Sequence, residues 1–306
     1  MLTRIEQALA QHFAHLEGPH TPPRLLAAMR HAVFPGGARI RPQLCLAVAG
    51  ACGEDDPVLA EATAVAIELL HCASLVHDDM PCFDDADARR GQPAVHKAYG
   101  EPLALLAGDA LIVMAFEVMG RSGSREGARH ISRLGPLVGA ISRGVGAQEG
   151  IVGGQAWECE PRVELGRYQR AKTGALFVAS TCGGAIAAGA PADAWRRLGE
   201  CLGEAYQVAD DIRDVMGDAA QLGKPTGQDA QHGRPSAAAE LGLVGALHYF
   251  RQLMQQAVDS VPECRSRIAM RQLVMRESER LVPQVACDQV LKNQASSAPL
   301  PQVVVS

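Results

Sequence analysis

Apolar residues recur at helical spacing from the start of the chain, with Leu2, Ile5, Leu9 and Phe13 on one face of a 3.6-residue repeat. Thr21-Pro22-Pro23 reads as a helix start, because proline fits a first turn and threonine can cap it. A helix is predicted from about Leu25 to Val33, broken at Pro35-Gly36-Gly37. The next runs through LCLAVAGACG and ends in the turn Gly53-Glu54-Asp55-Asp56-Pro57. From Val58 to about Asp79 the chain reads as one long apolar helix, interrupted by Pro81 and the run to Gly91. Further helices are predicted around 102–121, 125–150, 162–189, 193–217 and 238–260, separated by Gly, Pro or charged turns. No segment alternates with a period of two, so the fold class is all-α. No repeat and no long linker interrupts residues 1–291, which read as one domain. The tail 292–306 has little periodicity and is expected to be flexible.

Composition narrows this picture. Aromatic residues make up only 4% of the chain, which suits close-packed helices better than a β-sandwich. A formal charge of −5 provides no basic field, so no nucleic-acid partner is expected. The nine cysteines are scattered and form no CxxC pair, which reads as reduced, mostly buried thiols. The N-terminal segment lacks the basic-then-apolar layout of a signal peptide. No uninterrupted apolar stretch reaches the roughly 20 residues of a membrane span. A cytoplasmic protein without a transmembrane segment is expected.

Two acidic clusters carry the candidate chemistry. The first, Asp78-Asp79-Met80-Pro81-Cys82-Phe83-Asp84-Asp85-Ala86-Asp87, places five aspartates within ten residues. An acidic run is commonly a solvated loop. Here it directly follows the apolar Leu69, Leu70, Leu75 and Val76, and it precedes the cationic pair Arg89-Arg90. The second cluster is Asp210-Asp211-Ile212-Arg213-Asp214. Asp210 and Asp214 are i and i+4, about 6 Å apart along one helix face, where like charges destabilise a helix unless a cation offsets them. Asp211 points about 100° away, which suits an indirect role. A single DDxxD is a weak signal, whereas two on apolar helices are a strong one. Carboxylate oxygens suit Mg²⁺, which keeps waters and substrate phosphates in its octahedron. Basic residues nearby (Arg39, Arg41, Lys172, Lys224 and Arg234) fit a polyphosphate bridged by metal ions.

The pieces PGGARIRP, ELLHCASLVHDDMPCFDDADARRG, HKAYGEPLALLAGDAL, GGQAWE, YQRAKTGALF, AYQVADDIRDV and LGKPTGQD stand in an order that resembles the trans-type isoprenyl diphosphate synthases. The resemblance covers roughly residues 20–245. Within that family the chain is most similar to geranylgeranyl diphosphate synthases of bacterial carotenoid and photopigment pathways. The resemblance implies a bundle of about ten or more helices around a deep central cavity, a homodimer and the use of three Mg²⁺ ions. It implies that Asp78 and Asp84 bind Mg²⁺ with Asp79 supporting, and that Asp210 binds the third ion with Asp211 and Asp214 contributing. Arg89, Lys172 and Lys224 would hold the allylic diphosphate. Arg39, His71 and Arg90 would hold isopentenyl diphosphate, and Arg234 could pair with phosphate. Thr173 and Gln207 would flank the developing allylic cation.

Ala38 and Gln228 stand where the family usually has lysine, and neither change removes a metal ligand. The implied reaction joins isopentenyl diphosphate to an allylic diphosphate, farnesyl diphosphate being the expected primer. Product length should follow tunnel depth. The small residues Ala73 and Ser74, five and four positions before Asp78, leave room for a geranylgeranyl product. Ala73 also fits as an ordinary packing alanine. Farnesyl or longer products, a class I terpene cyclase and a non-catalytic modifying subunit are the competing readings. The cyclase usually carries one DDxxD motif, and the subunit would be expected to lose acids from one of them.

Overall fold

The computed structural model describes residues 1–34, 36–54, 56–123, 128–162, 164–216 and 237–283. Lys224, Gln228, Arg234 and the tail 292–306 lie outside the described residues. In chain order the helices are α1 (Leu2–Ala14), α2 (Pro23–Val33), α3 (Ile40–Ala51), α4 (Pro57–Asp78), α5 (Val95–Tyr99), α6 (Glu101–Gly123), α7 (Ala128–Val145) and α8 (Ile151–Ala156). They continue as α9 (Leu165–Gln169), α10 (Ala175–Ala187), α11 (Asp193–Met216), α12 (Ala237–Ser260) and α13 (Arg267–Leu281). A 3₁₀ turn, Trp157–Cys159, follows α8, and a π-helical segment, Arg170–Gly174, joins α9 to α10. The strand structure among the described residues is one two-residue hairpin, β1 (Ala88–Arg89) with β2 (Gln92–Pro93). The all-α expectation is met.

Local chemistry explains the helix that matters most. Asp56 accepts the backbone N–H of Leu59 at 3.0 Å and Pro57 occupies the first turn, so α4 starts with a side-chain cap and a preset φ. Most of its turns are buried, which makes it a central helix rather than an amphipathic one. One apolar cluster joins α1, α2, α4 and α6; the other joins α3, α11, α12 and α13. Helix α10 contributes side chains to both. Helix α11 lies tight against the π segment because Gly203 has no side chain. A Cβ there would stand 2.5 Å from the Gly174 Cα. That approach brings the second acidic cluster next to Lys172 and Thr173.

The structure differs from the sequence expectations at several places. The predicted 125–150 helix ends at Val145, and a turn separates it from α8. The predicted 162–189 helix is divided by the π segment. Helix α13 had no counterpart in the pattern, since its buried residues reduce to Met270, Val274 and Leu281 amid charged neighbours. Helices α4 and α6 are long and apolar enough to cross a membrane by length and composition, although Glu61 and Glu68 interrupt the one and Asp109 and Glu117 the other, so neither is an uninterrupted apolar stretch. For α4, 72% of its most apolar window is buried inside the protein, against 44% for α6. All described cysteines are free thiols.

Candidate active site

A cavity of about 620 Å³ opens where the C-terminal end of α4, the loop after it, the start of α3, the π segment, α11 and the end of α13 meet. The first acidic cluster is folded back on itself. The Asp84 N–H donates to the Asp78 carbonyl at 3.0 Å and the Ala86 N–H to the Asp79 carbonyl at 3.1 Å. This loop returns the Asp84 carboxylate to the side of Asp78. Glu158, from the 3₁₀ turn, completes a group in which one ligand oxygen of each residue lies within 4.8 Å of the others. Three hard oxygen donors at that spacing fit Mg²⁺, which takes few protein carboxylates. Glu158 stood in GGQAWE without an assigned role. The fold, not the local pattern, brings it to the aspartates.

The two members of the Asp78-Asp79 pair part company. Asp79 is 2% exposed and accepts from Arg89 Nε at 2.9 and 3.1 Å through its two oxygens. It does not line the cavity. Burial pushes its carboxyl up, against the opposing pull of Arg89. Its place is therefore that of a buried partner holding Arg89, rather than a donor beside Asp78 and Asp84. Arg89 does line the cavity, 3.7 Å from Asp78.

On α11, Asp210 and Asp214 both line the cavity, as their i, i+4 spacing predicts. Asp210 also pairs with Arg213. Asp211 is 2% exposed and turned into the protein. There it accepts the Gln207 amide at 3.0 Å and the Ala237 N–H at 2.7 Å. Gln207 in turn accepts the Thr173 hydroxyl at 2.9 Å. Thr173 and Gln207 face the cavity with Lys172. The Lys172 ammonium lies 2.6 Å from Glu158 and 3.2 Å from Asp78.

The basic side of the cavity rearranges the expected assignments. Arg39, with φ 46°, is buried and fully engaged: Glu68 at 2.6 Å, Glu6 at 2.8 Å and the Val33 carbonyl at 2.7 Å. These two acids hold its guanidinium charged despite burial, and they leave it little capacity for a substrate. Arg41 faces the same cavity differently. Its Nη1 donates to His71 Nε2 at 3.2 Å, its guanidinium stacks 4.5 Å over Phe177, and its buried Nε has no hydrogen-bond partner. Burial foremost, then the surrounding arginines, holds the His71 imidazole well below its ordinary value. His71 is consequently neutral near pH 7 and accepts at Nε2. Arg90 completes the group, 3.9 Å from Glu68. Its guanidinium occupies space that a Cβ on Gly37 would invade at 3.0 Å, and Gly37 has φ 150°.

Ser74 lines the cavity, with its hydroxyl donating to the His71 carbonyl at 2.8 Å. Ala73 is 1% exposed and packs in the apolar cluster around α4, away from the cavity wall. Arg280 and Leu281, at the end of α13, reach the rim. Arg280 is positioned by Tyr206 and by Glu277, the latter at 2.8 Å.

The profile of the polyprenyl synthetase family matches residues 22–272. A geranylgeranyl diphosphate synthase from Cereibacter sphaeroides is 52% identical over 280 residues, covering 92% of this chain and 96% of the relative. A farnesyl diphosphate synthase from Geobacillus stearothermophilus is 38% identical, covering 79% of this chain and 82% of the relative. Among solved structures, a geranyltransferase from Legionella pneumophila superposes with a TM-score of 0.76 at 27% identity, covering 92% and 93% of the two chains. With the family profile covering most of the chain and a relative sharing half its residues, this protein belongs to the polyprenyl synthetase family.

Proposed function

We propose that the chain is a Mg²⁺-dependent prenyl diphosphate synthase that extends an allylic diphosphate, farnesyl diphosphate, with isopentenyl diphosphate to give geranylgeranyl diphosphate. The observation that carries this reading is one cavity with carboxylates from the end of α4, the loop after it and the 3₁₀ turn on one side, carboxylates of α11 on the other, and a separate cationic wall. Asp78, Asp84 and Glu158 on one side, and Asp210 and Asp214 on the other, would hold the metal ions, three in this reading. Bound there, Mg²⁺ would supply the charge neutralisation that lets the allylic diphosphate leave.

The protein's own groups divide the remaining work. Lys172 and Arg89 stand beside the aspartates and orient the allylic diphosphate. Arg41, Arg90 and neutral His71 form the position for isopentenyl diphosphate, with Arg41 in the role expected of Arg39. Thr173 commits its proton to Gln207, so its oxygen presents only lone pairs to the cavity. That oxygen and the Gln207 carbonyl favour positive charge on the allylic carbon. The isopentenyl double bond then forms the new carbon–carbon bond, and the proton lost in closing the product alkene passes to the departed diphosphate. Enclosure by α4, the π segment and α11 would exclude water that would trap the cation.

The chain length rests on Ser74, a small residue at the wall that leaves the space beneath Asp78 open. The 52% identical relative, named a geranylgeranyl diphosphate synthase, supports the same product. A homodimer is supported by α6, an apolar helix that leaves Leu105, Leu106 and Val113 exposed at 48, 50 and 66%. The deciding experiment incubates the purified chain with Mg²⁺, isopentenyl diphosphate and five-, ten- or fifteen-carbon allylic diphosphates, and measures product length. A twenty-carbon diphosphate is expected. Absence of turnover with every primer would overturn the reading, and a different length would overturn the product assignment alone.

A further inference from the structure

The π segment divides its residues between two cavities. Lys172 and Thr173 face the aspartates, whereas Arg170, Ala171 and Gly174 line a second cavity of about 840 Å³. Its floor is apolar, formed by Ala175, Val178 and Ala179 of α10. Its rim carries five arginines from four elements: Arg143, Arg167, Arg170, Arg196 and Arg197. Three glutamates, Glu149, Glu200 and Glu204, also line it, so five cations stand against three anions. Glu204 is engaged by Tyr249, and Glu200 stands 3.5 Å from Arg197. Arg167 and Arg196 stand 3.7 and 3.9 Å from exposed acids on their own segments, and Arg167 also lies 5.9 Å over the Trp157 ring. Arg143 and Arg170 have no acidic or hydrogen-bonding partner among the described residues. All five arginines are exposed, and all five line the same concavity with its apolar base.

We propose that this cavity is a second diphosphate-binding site, separate from the catalytic one and independent of metal. Guanidinium groups around one cavity match diphosphate oxygens through paired, charge-assisted hydrogen bonds. The arginines supply the countercharge that the catalytic cavity must obtain from cations. The ligand is the diphosphate group, carried either by a prenyl product or by the inorganic diphosphate released in each turnover. This choice of source rests on the reaction proposed above. A diphosphate held by Arg143, Arg170 and Arg196 would tie α7 and α11 to the segment bearing Lys172 and Thr173. Occupancy therefore restrains the catalytic lysine from behind, and inhibition is noncompetitive with both substrates.

The test is calorimetric titration of the full chain in EDTA with inorganic diphosphate and, separately, with a non-hydrolysable farnesyl thiodiphosphate. The Arg41→Gln variant weakens metal-free anion binding in the catalytic cavity, where Arg89, Arg90 and Lys172 remain, and leaves the second cavity intact, so binding that persists in this variant and falls on charge reversal at Arg143 or Arg196 belongs to the second site. Adding Arg143→Glu or Arg196→Glu should weaken that site about tenfold or more, consistent with loss of a charge-assisted contact. Arg143→Gln should give a smaller loss in the same direction. Tighter binding of the thiodiphosphate assigns the site to prenyl chains; equal binding assigns it to inorganic diphosphate. Absence of binding in EDTA, or binding indifferent to both charge reversals, overturns the proposal. Either result leaves the synthase reading standing, because the titration involves no turnover.

Discussion

Alanine at Asp210 and alanine at Asp211 should produce opposite defects, although the two residues are adjacent. Asp211 is buried and accepts hydrogen bonds from Gln207 and from the first described N–H of α12. Bonds to a charged acceptor contribute about 1.5–3 kcal/mol each, and relief from burying the carboxylate offsets part of that sum. Asp211→Ala should therefore cost about 3 kcal/mol. For a chain of this size that lowers the Tm by roughly 4–8 °C. Gln207 loses its anchor, so kcat should also fall while the Mg²⁺ concentration for half-maximal rate stays put. Asp210 is 46% exposed and paired to Arg213 one turn away, an arrangement worth about 0–1 kcal/mol. Asp210→Ala should leave the Tm nearly unchanged and raise the Mg²⁺ requirement about tenfold or more, because it removes a metal-facing oxygen. Thermal unfolding without ligand, paired with rate measurements across Mg²⁺ concentrations, reads both effects. Equal Mg²⁺ shifts in the two variants, or an Asp211→Ala protein as stable as its parent, would refute this division.

The two neighbouring arginines of GGARIRP should separate in the same manner. Arg39→Ala takes the nearest cation from Glu68 and from Glu6, leaving Glu68 only the more distant Arg90, and should destabilise the fold by about 3–5 kcal/mol, measured by denaturant unfolding. Arg41→Gln should fold normally and raise the KM for isopentenyl diphosphate about tenfold or more, with the allylic KM little changed. His71 is held neutral, its folded-state value lying below the ordinary one near 6.5. The unfolded chain binds the proton more readily, so this contribution is complete above about pH 6.5 and is lost as pH falls towards the lowered value. His71→Gln should flatten the stability loss between pH 6.5 and 5 relative to the parent, as followed by thermal unfolding. Ser74→Phe should shift the product towards fifteen carbons by filling the cavity wall below Asp78; an unchanged product in chromatographic analysis would move the length determinant elsewhere.

What was legible in the sequence was whatever depends on local period or local charge. The all-α class followed from repeating apolar spacing, and the shared face of Asp210 and Asp214 from helical geometry alone. Asp211's turn away from the cavity followed from the same geometry. Helix α13 escaped because three buried residues among many charges form too narrow a stripe to register. Arg280 and Leu281, which end that helix at the cavity rim, escaped with it. Glu158 escaped for a different reason: one acid in a 3₁₀ turn has no local signature, and its value depends on where the chain brings Asp78.

The instructive cases are neighbours that the motif treats alike and the packing does not. Arg39 and Arg41 sit two residues apart at the start of α3, and a basic motif marks both as anion ligands. Arg39 adopts φ 46° at the position before the helix and turns inward to Glu68, a buried acid on α4. Arg41, two residues on and inside the helix, stacks on Phe177 and reaches His71. Nothing within GGARIRP distinguishes them, because the deciding partners come from α4 and α10. The pair Ala73 and Ser74 repeats the lesson, with rotation about α4 sending the alanine into the apolar cluster and the serine to the cavity. A tyrosine at position 73 would therefore have to displace packed neighbours before it could block a growing chain. Overpacking of that kind commonly costs about 1–3 kcal/mol, so loss of stability would accompany any change in product. Ser74→Phe carries no such confusion, since its new ring enters space that is already open, and it is the cleaner measure of how this chain sets product length.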